Sequence, residues 1–129
     1  MNQSPKISES ELEIMRIIWE HDAPMTVTQI RTEAEQRLNW EPSTIKTLLS
    51  RLLQKGAVSR IQEEGKRVYY YAALISKEDY GQESADKLID KIFKGSAKNL
   101  VASLLSSNKL TKSDIEELYE TWGNDNDEK

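Results

Sequence analysis

The chain has 129 residues, 31% charged and 37% hydrophobic, and a net charge of -4, which suits one compact domain or two small ones with only a moderately self-sufficient core. It contains no cysteine and a single histidine, His21, which excludes disulfide frameworks, thiolate metal sites and cysteine nucleophiles and leaves no basis for expecting a metal or cofactor. No run of about 18 apolar residues could span a bilayer and MNQSPKISES lacks the apolar stretch of a signal peptide, so the expectation is a soluble, cytoplasmic protein.

The first element is SESELEIMRIIWEHD. Ser8 and Glu11 form a capping box, and Leu12, Met15, Ile18 and Trp19 follow on one stripe, predicting a helix over about 9–21. His21 at its end suits the last carbonyls of the helix rather than a metal. Pro24 bars continuation; Thr26 and Gln29 form a second capping box, and Val27, Ile30, Ala34 and Leu38 make a second stripe. A third helix starts near Pro42, a good first-turn residue, and stops at Lys55-Gly56.

The period then changes. AVSRIQ and RVYYYAAL are short, β-branched or aromatic segments joined by EEGK, in which Gly65 can take a positive φ, so a β-hairpin is expected. Strand alternation assigns Tyr69, Tyr70 and Tyr71 to hairpin and core packing rather than base stacking, and Trp19 and Trp40 read as core anchors. Helical spacing resumes in SKEDYGQESADKLIDKIFKG, KNLVASLL and TKSDIEELYETW, the last opening on a Thr111-Asp114 capping pattern. The expected fold is mainly α with a small β-hairpin: a winged helix-turn-helix at 1–75, a helical domain at 76–122 and a disordered acidic tail at 123–129.

Charge is unevenly distributed along this plan. Residues 37–71 carry Arg37, Lys46, Arg51, Lys55, Arg60, Lys66 and Arg67 against Glu41, Glu63 and Glu64, while both flanks are acidic. Such a chain can meet a polyanion through its middle third. At 100° per residue Ile45, Leu48, Leu49 and Leu52 share one arc of the third helix, and Thr44, Thr47 and Arg51 share the opposite one, beside Ser43, Ser50 and Gln54. Short hydroxyl side chains allow close approach to a major groove, threonine methyls can meet thymine methyls, and arginine can grip guanine O6 and N7. Lys46 and Lys55 flank that face as phosphate contacts would, and Lys66 or Arg67 at the hairpin tip would reach a phosphate or the minor groove.

Two other functional classes fit these residues less well than DNA binding. An enzyme would need a polar constellation, and paired acids such as Glu116 and Glu117 lie on a helix where solvation explains them. A winged-helix module that binds protein would expose an apolar patch where this helix shows Thr44, Thr47 and Arg51.

The segments ISESELEIMRIIW, NWEPSTIKTLLSRLLQKGAVSR and GKRVYYYAAL resemble the BlaI/MecI/CopY family of penicillinase repressors, and KIFKGSAKNLVASLL with LTKSDIEELYE extends the likeness. The resemblance implies a homodimeric transcriptional repressor with an N-terminal winged helix and a C-terminal helical dimerisation domain, bound to a palindromic operator with TACA/TGTA-like half-sites. By position, Ser43, Thr44, Thr47 and Arg51 would face the groove and Lys46, Lys66 and Arg67 the backbone. Leu88, Ile92, Leu100, Leu104, Ile115 and Leu118 would form the dimer core. The chain departs from the family in its signal-receiving parts. The copper-responsive branch carries paired Cys-x-Cys motifs, whereas this tail is TWGNDNDEK. The β-lactam-responsive branch is cleaved at an Asn-Phe bond in the dimerisation region, where alignment places Ser103-Leu104; the only phenylalanine is Phe93, and Asn99-Leu100 is a poor substitute. A thiolate copper switch is thereby excluded. A regulatory protease stays open as a partner without its expected scissile pair.

Overall fold

The computed structural model describes residues 4–123. The first two helices begin at reciprocal side-chain caps. Ser8 and Glu11 close a reciprocal capping box on α1 (Glu9–Trp19), and Thr26 and Gln29 close another on α2 (Val27–Leu38). α3 (Pro42–Gln54) has proline in its first turn and no side-chain cap from Glu41. Gly56, at φ 77°, adopts the left-handed conformation after α3 and turns the chain into β2 (Val58–Gln62). β2 pairs antiparallel with β3 (Tyr69–Ala73), from Val58 opposite Ala73 to Gln62 opposite Tyr69.

One strand is not apparent from the periodicity. Residues Met25–Thr26 form β1, pairing Met25 with Tyr71 and Thr26 with Tyr70, so the sheet has three strands in the order β1-β3-β2. Thr26 thus ends a strand and caps a helix. The arrangement is a winged helix-turn-helix whose hairpin is anchored to the α1–α2 connection.

The core contains Ile14, Met15, Ile17 and Ile18 from α1, Ile30 and Ala34 from α2, and Ile45, Leu48, Leu49 and Leu52 from α3, with Met25, Ala57 and Val58 from the sheet side. The α3 arc is the one expected. On α1 the buried arc instead includes Ile14 and Ile17, with Leu12 and Trp19 half-buried. α1 packs on α2, α3 and β3 together, so burial wraps more of its circumference than one stripe. Trp19 donates its indole Nε1–H to the Ile75 carbonyl at 2.8 Å, and its ring lies 5.9 Å from that of Tyr80.

Tyr80 belongs to α4 (Lys77–Ile92), which opens with the Ser76 hydroxyl accepting from the Asp79 amide. The first compact unit runs through Glu83 and the second from Ser84 onward, whereas the sequence places the boundary near 75. The second unit holds the rest of α4, α5 (Ala97–Ser106) and α6 (Lys112–Leu118), capped at Thr111 and Asp114 as expected, then a π-helical turn over Tyr119–Gly123. Of the tail expected to be disordered, Gly123 closes that turn, and 124–129 lie outside the described residues.

Candidate nucleic-acid interface

α3 presents two chemically distinct sides. Its four core residues are at most 4% exposed, while Ser43, Thr44, Lys46, Thr47, Ser50, Arg51 and Gln54 are all exposed. The four expected base-reading residues are therefore brought together on one open helical face. Thr47 donates its hydroxyl to the Ser43 carbonyl at 3.0 Å, so toward a base edge it offers a methyl group and a lone pair but no donor. Arg51 and Lys46 have no ion-pair partner among the described residues. Burial of the opposite side fixes the rotation of α3, which decides which side chains a groove would meet.

The basic residues divide by partner. Arg37 holds Glu20 at 2.5 Å and Glu33 at 3.0 Å, tying the end of α1 to α2. Its hydrogen bond lowers the Glu20 carboxyl below the usual carboxylate range. Lys55 is held by Glu11 at 2.5 Å and also donates to the Lys6 carbonyl at 2.8 Å, so the phosphate role read for it from the sequence competes with an internal one. Lys46, Arg51, Arg60, Lys66 and Arg67 remain outward. Lys66 lies 3.4 Å from Glu63, but both side chains are well exposed and the pair is weak. Glu63 also accepts from the Tyr70 hydroxyl at 3.1 Å, which raises the Tyr70 phenol.

Arg60, like Arg37, has no role assigned from the sequence. Its guanidinium sits 4.5 Å from the centre of the Tyr69 ring, a cation–π contact that holds an otherwise mobile side chain along the wing. Arg60 pairs in register with Tyr71, two residues along β3 from Tyr69, so the diagonal contact follows from strand alternation. A register would have revealed it; a linear scan for basic residues does not.

Glu11 is the single buried charged residue among those described, 2% exposed. Burial raises its carboxyl, but hydrogen bonds from Lys55 and the Ser8 amide, with the Lys55 charge, outweigh this and hold it below its ordinary value of 4.5. A carboxyl lowered in the folded state contributes stability that is complete above its unfolded value and is lost as pH falls through the folded one. Acid unfolding followed from pH 7 to pH 3 should therefore lose stability more steeply in the native protein than in Glu11→Gln, which has nothing to titrate there. Equal slopes would remove the pair as the cause. Glu11→Ala should cost about 2 kcal/mol, less than for a fully enclosed pair because Lys55 is partly solvated. His21 behaves as expected for a helix end: Nδ1 meets the Ile17 carbonyl at 2.9 Å, while Nε2 lies 2.9 Å from Glu33.

The second unit exposes large apolar side chains among its charged ones. None of α4, α5 or α6 has a buried residue. Of the expected dimer residues, Leu100, Leu104 and Ile115 are half-buried, while Leu88, Ile92 and Leu118 are exposed at 44%, 65% and 48%. Val101, Leu105, Tyr119 and Trp122 are exposed as well and were not among them.

Residues 7–124 match the family model described as Penicillinase repressor. The chain is 32% identical over 120 residues to the penicillinase repressor of Bacillus licheniformis, covering 93% of this chain and 91% of that one. It is 31% identical over 117 residues to the methicillin resistance regulatory protein MecI of Mammaliicoccus sciuri, covering 91% and 93%. Among solved structures, the DNA-binding domain of the repressor BlaI superposes with a TM-score of 0.53 at 39% identity, over 62% of this chain and 94% of that domain. Monomeric Bacillus licheniformis BlaI in complex with the blaP half-operator superposes with the same score at 38% identity and the same coverage.

Proposed function

The chain belongs to the penicillinase repressor family, and from that premise we propose that it represses transcription by occupying a two-fold symmetric operator with TACA/TGTA-like half-sites as a homodimer. The observation that carries the reading is the open α3 face, Ser43, Thr44, Thr47 and Arg51 set opposite a fully buried apolar arc. In the major groove Arg51 would grip a guanine, the Thr44 and Thr47 methyls would meet thymine, and Ser43 would approach a base edge at the first turn. Lys46, Lys66 and Arg67 would take phosphates, and Arg60 would extend the positive wing beside them. Lys55 supports α3 through Glu11 and contributes charge at its end.

The dimer rests on the second unit. Helices with no buried residue and seven exposed large hydrophobic side chains, Leu88, Ile92, Val101, Leu105, Leu118, Tyr119 and Trp122, leave apolar surface in water that a second copy would cover. Each copy would then present one α3, with half-site centres about one helical turn, or a small multiple, apart. No enzymatic activity is assigned. No helix among the described residues is long and apolar enough to cross a membrane, and the proposal places the protein in the cytoplasm with its DNA. Release from the operator would require a signal other than thiolate chemistry, with proteolysis in the second unit one route.

Selection from a random DNA pool, followed by a salt titration on the winning sequence, tests the reading. The expected outcome is a two-fold motif whose binding falls with log salt at a slope of roughly -5, from three phosphate contacts in each of two protomers. A folded dimer that enriches no motif would instead be a protein-binding winged helix.

A further inference from the structure

α1 and the first turns of α4 border a cavity of about 450 Å³, within the size range of small-molecule sites. Its apolar lining comes from Leu12, Trp19, Tyr80 and Gly81, and its charged lining from Arg16, Glu20 and Lys77. The Trp19 and Tyr80 rings are 5.9 Å apart and tilted by 40°, and the Trp19 hydrogen bond to the Ile75 carbonyl holds the indole in place. An aromatic guest would meet a wall that is already ordered.

The charges favour an anion. Glu20 is neutralised by Arg37. Arg16 has an exposed contact with Glu13 at 3.3 Å and its charge also helps to lower the Glu20 carboxyl. Lys77 has no ion pair among the described residues, so the cavity's lining still carries one more positive than negative charge. Gly81 supplies the second observation. Gly81 lines the cavity, and a Cβ placed there would meet nothing within 4 Å, so a larger side chain has room to enter it.

We infer that this cavity binds a small amphipathic anion, an aromatic ring bearing a carboxylate, with the ring against Trp19 and Tyr80 and the carboxylate at Arg16 and Lys77. No lining residue belongs to α3 or the hairpin. The site is therefore separate from the proposed DNA-facing surface and does not depend on that reading.

Calorimetric titration of the full-length protein, free of DNA, with 2-naphthoate tests the site. One saturable event per chain is expected. Gly81→Leu, which fills the cavity from a helical position with room for a side chain, should weaken it at least tenfold without lowering the thermal midpoint. The double variant Arg16→Ala/Lys77→Ala, and the neutral 2-naphthamide as probe, should each weaken it about fivefold, as expected for two solvent-exposed charge contacts. These surface changes decide the matter even if Gly81→Leu folds poorly. Absence of saturable binding, undiminished binding to folded Gly81→Leu, or equal affinity for acid and amide would each overturn the inference. So would a change of oligomeric state in Gly81→Leu, which would assign the groove to a second copy of the chain.

Discussion

A chain ending at Glu83 is expected to fold, to keep the half-site preference of the intact protein and to bind a two-fold operator on the order of 100-fold more weakly or worse. Among the described residues every buried hydrophobic one lies between Ile14 and Val58, so the first unit has its own core. Ending at Glu83 retains both the Ile75 carbonyl that fixes Trp19 and the Tyr80 ring packed beside it. A cut at 75 would strip away the ring and mix a stability defect into the affinity measurement. What the shorter chain lacks is the apolar surface proposed to join two copies. With the copies joined, the second half-site is met at an effective concentration in the millimolar range, and without that link each half-site is bound independently. Anisotropy titrations on full and half operators, with sedimentation of both chains, separate these cases. The truncated chain binding a full operator as tightly as the intact one, or an intact chain that sediments as a monomer, would remove the dimer from the mechanism.

The parts of this architecture legible in the sequence are those written in local spacing. α3 could be bounded by Pro42 and Gly56 and rotated correctly because four apolar residues recur at helical intervals. Three capping boxes, at Ser8, Thr26 and Thr111, located helix starts because their partners lie three residues away. What stayed hidden depends on distant partners. β1 is two residues long, too short for alternation to register, and exists only through its pairing with Tyr70 and Tyr71. Lys55 reads as a free cation because its partner Glu11 is 44 residues away and is marked in the sequence only as a helix cap. The Arg60–Tyr69 contact needs the hairpin register, and the extent of the first unit needs the contact between Trp19 and the start of α4. For the interface, periodicity identified the open face of α3, but which of the surrounding cations are engaged internally emerged only from tertiary packing.

That sorting makes Arg51→Ala the most informative single substitution. Arg51 is exposed and has no ion pair among the described residues, so its removal should leave folding stability nearly unchanged and any loss should report on DNA. A bidentate arginine–guanine contact is worth about 1 to 3 kcal/mol, which predicts a loss of roughly 5- to 150-fold per half-site. The loss should be confined to one base position, at which the variant accepts other bases. Lys66→Ala offers the contrast. Its ammonium lies on the wing beside Glu63, and as a phosphate contact it should weaken all sequences alike and reduce the salt slope by about 1 per protomer. Repeating the pool selection with both variants distinguishes the two roles. Arg51→Ala losing affinity while keeping the native preference at every position would make Arg51 a backbone contact, and sequence reading would then fall to Ser43, Thr44 and Thr47 alone.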